Sequence, residues 1–228
     1  TTGSGKTSFL RGLIWSLAAR TPADSLRLVV ADPKGVDFSA LNGLPHLLPG
    51  SVLTRAEEIL DYVRNLLPEE HERRIDVFQR WQVASARDYY ERDPDGVMRV
   101  PPIAIVIDEV GMIHDLLGDR RNEFDRVIQQ YAQMARFLGI HVVLAIQRPS
   151  AAQIIGDIKV NFPARVALRV PSSVDSKVIL DRPGAERLVG QGALLFRAPD
   201  QDEPMRLQAP RADVSDLVAL VKRWGGEN

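Results

Sequence analysis

Three short apolar runs, each followed by polar residues, constrain the fold of this chain more than any other feature. The runs are LRLVVAD (residues 26–32), IAIVIDEV (103–110) and IHVVLAIQ (140–147). Continuous apolar segments of this length are typical of strands that are buried on both faces. Segments with helical periodicity separate them along the chain. This alternation predicts an α/β fold with a mainly parallel sheet and helices on both faces.

Weaker patterns complete the predicted secondary structure. ARVALRV (164–170) alternates and indicates a fourth strand, while ALLFRA and MRLQAP predict a short antiparallel pair near the C-terminus. Thr54 and Glu57 match a capping box, which predicts the start of a helix. Pro68 suits the first turn of a further helix. A long helix after the second apolar run is predicted to end at Gly139.

The charge balance excludes a protein that covers nucleic acid with a broad basic face. The 228 residues include 29 Lys and Arg against 30 Asp and Glu, and no Cys. Any contact with nucleic acid therefore has to come from a few placed residues. No apolar run reaches the roughly 18 residues of a membrane span. The length suits one large α/β domain, so we predict a single domain over residues 1–228.

The opening residues, TTGSGKT, match the second part of a phosphate-binding loop, G-x-x-x-x-G-K-[ST]. The first Gly of that pattern would precede Thr1, so we expect the chain to begin inside the loop. Lys6 would place a cation on the β- and γ-phosphates, and the Thr7 hydroxyl would bind Mg²⁺. A plain glycine-rich turn before a helix is the alternative. The predicted nucleotide-binding residues are Thr2, Gly3, Ser4, Gly5, Lys6 and Thr7.

Polar residues at the ends of two apolar runs fit the same chemistry. Asp108 follows the second run, where an ATPase places the acid that binds Mg²⁺, and Glu109 could act as general base toward the attacking water. Gln147 ends the third run and could hydrogen-bond the γ-phosphate or that water. The alternatives are a solvent-exposed acidic pair and an ordinary polar strand end.

Several longer segments resemble the motor domain of the FtsK/SpoIIIE family. The resemblance covers nearly the whole chain in the expected order, and its last two blocks are much more specific than a phosphate loop alone. The matching segments are TTGSGKT, DPKG…LPHLL, IVIDEV, ARFLGIHVVLAIQRPS, IIGDIKVNFPARVAL and DSKVILDRPGAERLVGQGALLF.

This resemblance implies a RecA-like P-loop fold and a function in DNA transport. Motor domains would form a hexameric ring around double-stranded DNA, with ATP and Mg²⁺ bound between neighbours. Arg136 matches an arginine that acts on the neighbour's nucleotide. Arg148 and Lys159 match basic residues of the DNA-facing loop, and Lys177 matches one member of a second basic pair, whose other position is Ser173 here. Ordinary surface charge is the alternative for each.

Related families leave other functions open. ATPases of type VII protein secretion (EccC-like) and conjugation motors share the motor fold, and a ring that holds ATP without hydrolysing it is a further alternative. The biological role could be chromosome segregation, sporulation, DNA transfer or defence. Family members carry an upstream subdomain and often a membrane anchor. We therefore expect this motor to work on the cytoplasmic side, with any anchor in an upstream segment.

Overall fold

The computed structural model describes residues 4–92, 100–147, 159 and 161–225. The chain forms two compact units. One comprises Trp15–Ala145 and Val214–Asn228 and is called the parallel unit here; the other comprises Thr1–Ile14 and Ile146–Asp213 and is called the antiparallel unit. The prediction of one functional domain over residues 1–228 stays a prediction.

The parallel unit is built on a three-stranded sheet. Its strands are β1 (Arg27–Ala31), β2 (Ile103–Ile107) and β3 (Ile140–Leu144), in the order β1-β2-β3, and both pairings are parallel. All five residues of the central strand β2 are buried. Because successive side chains point to opposite faces, both faces of β2 are covered. The three apolar runs are therefore confirmed as strands of a parallel sheet.

Helices account for most of the remaining regular structure in the described residues. The long helix α5 (Arg121–Leu138) carries a buried side that includes Phe124, Ile128 and Tyr131, and it ends before Gly139 as predicted. The helices are α1 (Lys6–Ala18), α2 (Ala56–Trp81), α3 (Ala86–Arg92), α4 (Val110–Leu117), α5 (Arg121–Leu138), α6 (Ser173–Leu180) and α7 (Val214–Gly225).

Two predictions about α2 are wrong. Arg55 is the N-cap residue and makes no side-chain capping bond, so Thr54 and Glu57 do not form a capping box. Pro68 lies inside a continuous helix of 26 residues rather than in the first turn of a new one. Residues on both sides of Pro68, such as Leu67 and Phe78, are buried, so both halves of the helix pack against the core.

The antiparallel unit contains a second three-stranded sheet. Its strands are β4 (Arg165–Leu168), β5 (Ala193–Arg197) and β6 (Met205–Gln208), in the order β4-β5-β6. The predicted pair is confirmed as β5 and β6, and the predicted fourth strand is β4, which pairs antiparallel with β5. A small apolar cluster that includes Ala167, Leu180 and Leu188 packs in this unit.

Within the described ranges, no helix is both long and apolar enough to cross a membrane.

Candidate active site

The described part of the phosphate-loop motif lies in the antiparallel unit. Thr2 and Gly3 fall outside the described residues. Ser4 is buried, and Lys6 is the first residue of α1, with the Phe9 backbone N–H donating to the Gly5 carbonyl at 2.8 Å. The motif therefore opens a helix, as a phosphate loop requires, because the N–H groups of a helix N-terminus attract an anion.

Gly5 is required at its position by both backbone conformation and space. Its φ is +95°, in the region that favours glycine, and a Cβ there would lie 2.9 Å from the backbone nitrogen of Gly192. The hydroxyl of Ser8 also donates to the Ala212 carbonyl at 3.1 Å. The start of α1 is therefore held by backbone around Gly192 and Ala212. This support was not predicted, and its mark in the sequence is the GQG segment at 190–192.

Asp108 and Glu109 lie where β2 ends in the parallel unit. Asp108 is 1% exposed, and its Oδ1 accepts the Glu109 backbone N–H at 2.9 Å. Glu109 is the N-cap residue of α4 and has left-handed backbone angles, φ 53° and ψ 57°. Such angles are uncommon for a residue other than glycine. The alternative of a solvent-exposed acidic pair is wrong, since the Glu109 side chain is also only 13% exposed.

A third acid, Asp32, follows β1 and was not predicted as a site residue. Asp32 is fully buried, and its carboxylate accepts backbone N–H groups of Lys34, Asp37 and Phe38. Possible ligand oxygens of Asp32, Asp37 and Asp108 lie within 4.8 Å of one another. Oxygen donors of this kind suit Mg²⁺, so the residues present fit that ion. Both Asp32 oxygens already bind the loop, which leaves Asp108 better suited as a direct ligand.

Gln147 does not end the third strand as predicted, since β3 stops at Leu144, whereas Arg136 lies on the helix before that strand. Gln147 comes three residues after the end of β3 and is half-buried. Arg136 lies in the last turn of α5 and is exposed. An exposed arginine at a helix end is compatible with a contact to a neighbouring subunit. The catalytic roles of both residues stay predictions.

The predicted DNA-binding residues are only partly described. Arg148 lies outside the described residues, while Lys177 is exposed on α6. Lys159 forms an ion pair with Asp181, which also pairs with Arg165 at 2.6 Å and with Arg197. Partial burial acts to raise the pKa of Asp181, but the three cations outweigh it and lower the pKa to about 2. The positive charge of Lys159 is therefore partly neutralised by an acid of its own chain.

Known proteins resemble this chain over all or nearly all of its length. The sequence profile of the FtsK/SpoIIIE family matches residues 1–151. The DNA translocase FtsK of Helicobacter pylori (strain ATCC 700392 / 26695) is 38% identical over 222 residues, which cover 97% of this chain and 25% of that protein. FtsK of Borreliella burgdorferi is 37% identical over 233 residues, which cover 100% of this chain and 29% of that protein. The chain spans about a quarter of the length of these relatives.

The fold has a counterpart among solved structures. The cytoplasmic domain of the type VII secretion ATPase EccC from Thermomonospora curvata matches with a TM-score of 0.79 at 27% identity, over 100% of this chain and 27% of that chain. The fold is thus that of an FtsK-like P-loop ATPase domain. Since the family profile covers more than half of the residues, the chain belongs to the FtsK/SpoIIIE family.

Proposed function

We propose that this chain is the motor domain of an ATP-driven translocase of double-stranded DNA that works as a hexameric ring. The observation that carries the proposal is the buried Asp108 followed by the sharply turned Glu109 at the end of the central strand. Metal-assisted ATP hydrolysis needs an acid for the ion and a residue that orients or activates water. The similarity to FtsK DNA translocases supports DNA as the transported molecule.

Each candidate residue has one role in this proposal. Lys6 and the backbone N–H groups of residues 2–7 bind the phosphates of ATP. Thr7 and Asp108 would hold Mg²⁺, which supplies positive charge that neutralises the phosphates. Glu109 accepts a proton from the attacking water, and Gln147 hydrogen-bonds that water or the γ-phosphate.

Contacts to DNA are proposed for Arg148, Lys159 and Lys177. They would bind phosphate oxygens, which position the duplex without reading its sequence. Lys159 would have to exchange Asp181 for a DNA phosphate, since the two side chains are paired. A ring repeats these few cations around its pore, so a chain with a net charge of −1 can still hold DNA. We place the motor on the cytoplasmic side of the membrane.

Protein secretion is the second candidate function. The specific observation that favours it is the match to EccC, which is a type VII secretion ATPase. The two functions differ in what stimulates ATP hydrolysis. Linear duplex DNA should stimulate a DNA motor, whereas a signal-sequence peptide should stimulate a secretion motor.

The test is the ATPase rate of the intact protein with and without linear duplex DNA. We expect DNA to stimulate the parent. Lys6→Ala should lose nucleotide binding, while Glu109→Gln should still bind ATP but hydrolyse it about 10²–10⁴-fold more slowly, because only the base is removed. Glu58→Gln, an exposed acid on α2, is the control and should keep the parental rate.

Three results would contradict parts of this proposal. Stimulation by the peptide alone would favour secretion. The absence of any turnover in the parent would favour a ring that only holds ATP. Parental turnover in Glu109→Gln would remove Glu109 as the base.

A further inference from the structure

The loop after β1 is folded around the carboxylate of Asp32. Its Oδ1 accepts the backbone N–H of Lys34 at 3.1 Å, and its Oδ2 accepts those of Asp37 at 2.8 Å and Phe38 at 3.2 Å. The N–H of Gly35 donates to the Asp32 carbonyl at 2.9 Å. Asp32 and Phe38 are both fully buried. These bonds anchor both ends of the loop, so the position from which the Lys34 side chain extends is well defined.

The loop brings Lys34 to Glu109, a residue 75 positions away in the sequence. The Lys34 Nζ lies 3.5 Å from Glu109 Oε2. The Lys34 side chain is 35% exposed and that of Glu109 is 13% exposed, so the acid is the more enclosed partner. Neither Lys34 nor the Asp32 loop has a role in the hydrolysis described above.

The backbone of Glu109 restricts its side chain as well. Its left-handed angles begin α4, its carbonyl accepts the Met112 N–H at 2.9 Å, and its own N–H donates to Asp108 at 2.9 Å. A residue held in an uncommon backbone conformation at a candidate site suggests that the direction of its side chain matters. With the backbone fixed, the Lys34 ammonium group lies close enough to the Glu109 carboxylate to favour one of its side-chain rotamers.

We infer that Lys34 is a positioning residue for ATP hydrolysis, whose ammonium group holds the Glu109 carboxylate in the orientation that accepts a proton from the attacking water. The inference rests on the proposed role of Glu109 as general base. Lys34 contacts neither the water nor the nucleotide in this role. It therefore affects the rate of the chemical step and leaves nucleotide affinity unchanged.

The expected effect is modest because the pair is partly exposed. Ion pairs of this kind stabilise one geometry by up to about 1 kcal/mol, which corresponds to a roughly fivefold change in rate. Lys34→Met keeps most of the length of the side chain and removes its charge. It should lower kcat about fivefold, with the dissociation constant for ATP changed less than twofold. Lys34→Arg keeps the charge and should recover most of the lost rate.

The experiment measures kcat and ATP affinity for the intact parent, Lys34→Met, Lys34→Arg, Glu109→Gln and the double variant Lys34→Met with Glu109→Gln. If Lys34 acts through Glu109, Lys34→Met should cause no further loss once Glu109 is Gln. Single-turnover hydrolysis of labelled ATP resolves the slow variants. Two controls should keep the parental rate: Val36→Ala, an exposed position in the same loop, and Lys222→Met, an exposed lysine on α7.

Different results overturn different statements. A parental or raised kcat in Lys34→Met would overturn the positioning role while Glu109→Gln still supports the proposed function. Weaker ATP binding in Lys34→Met would make Lys34 a nucleotide ligand instead. An equal fivefold loss in the Glu109→Gln background would show that Lys34 acts independently of Glu109. Parental turnover in Glu109→Gln would overturn the proposed base and the inference together.

Discussion

Arg74 is a buried arginine of α2 whose guanidinium group joins three separate parts of the chain. It is 0% exposed, and it donates to the Leu138 carbonyl at 2.7 Å, the Pro101 carbonyl at 2.6 Å and Glu70 Oε2 at 2.9 Å. The Leu138 carbonyl lies at the end of α5, where a helix has no internal donor for it. Partial burial acts to raise the pKa of Glu70, but hydrogen bonds and charges of Arg73 and Arg74 outweigh it and lower the pKa.

Replacing Arg74 should destabilise the fold strongly. Arg74→Met leaves two buried carbonyls without their donor and removes one of the two arginines that donate to Glu70, so we expect the free energy of unfolding to fall by about 3–5 kcal/mol. Urea denaturation followed by circular dichroism measures this change. The lowered pKa means that ionised Glu70 stabilises the fold above its ordinary pKa, and this contribution is lost as the pH falls through the lowered value. The difference in the free energy of unfolding between Arg74→Met and the parent should therefore become smaller as the pH falls through that value.

Arg73 provides a matched control for Arg74. Its guanidinium group also pairs with Glu70, at 2.7 Å, but its side chain is 45% exposed. Solvent screens such a pair, so Arg73→Met should cost less than about 1 kcal/mol. Equal losses of stability in Arg73→Met and Arg74→Met would mean that the ion pair with Glu70, and not the buried carbonyl contacts, dominates the effect of Arg74.

At the scale of elements, α2 runs through a proline that should interrupt it. Pro68 has no N–H for the carbonyl four residues earlier, that of Arg64, and its ring crowds this carbonyl. Pro68 itself is exposed, whereas Leu66 and Leu67 beside it are buried. Burial of the helix on the rest of the parallel unit therefore maintains α2 in spite of the proline.

Pro68→Ala should make α2 more stable. Alanine restores the missing hydrogen bond, and we expect the free energy of unfolding to rise by about 1–2 kcal/mol after the greater freedom of the unfolded chain is subtracted. Thermal denaturation of Pro68→Ala and of the parent measures this change in stability. Asn65→Ala, at an exposed position of the same helix, should gain only a few tenths of a kcal/mol. A loss of stability in Pro68→Ala would show that packing around α2 depends on a distortion at residue 68.

At the scale of the whole molecule, the proposed hexameric ring predicts that subunits complete one another's sites. Arg136 is exposed at the end of α5, where it could reach the nucleotide of a neighbour. An arginine supplied by a neighbour can raise the rate of hydrolysis on the order of 10³-fold. Arg136→Ala and Lys6→Ala should each be inactive alone, since each lacks a different part of the site.

Mixed rings of these two variants should recover ATPase activity. Some interfaces then combine the intact Lys6 of one subunit with the intact Arg136 of another. ATPase activity is measured as a function of the mixing ratio of the two variants. The mass of the assembled rings shows whether both variants are present in one ring. Arg126→Ala, an exposed arginine of the same helix, is the control and should be active alone. If rings shown to be mixed recover nothing, Arg136 does not act between subunits.

The sequence by itself determined the strands of the parallel sheet, the end of α5 and the position of the Asp108–Glu109 pair. These features depend on residues close together in the chain. An apolar run buried on both faces forms a central strand, and the residue that follows it lies at the carboxyl end of that strand. Gly139 adopts a positive φ of +72°, which ends a helix. The motif GSGKT predicted the start of α1 for the same local reason.

Only the tertiary structure decided the contacts between residues that are distant in the chain. The fold brings Lys34 to Glu109 across 75 positions and Arg74 to the Leu138 carbonyl across 64 positions. Local patterns carry no information about such pairs, because each partner is compatible with an ordinary surface position. Burial of α2 likewise overrode the helix-breaking tendency of Pro68. Which charged side chain is buried, and which acid it contacts, follows from the packing of elements against one another and not from the composition of any one of them.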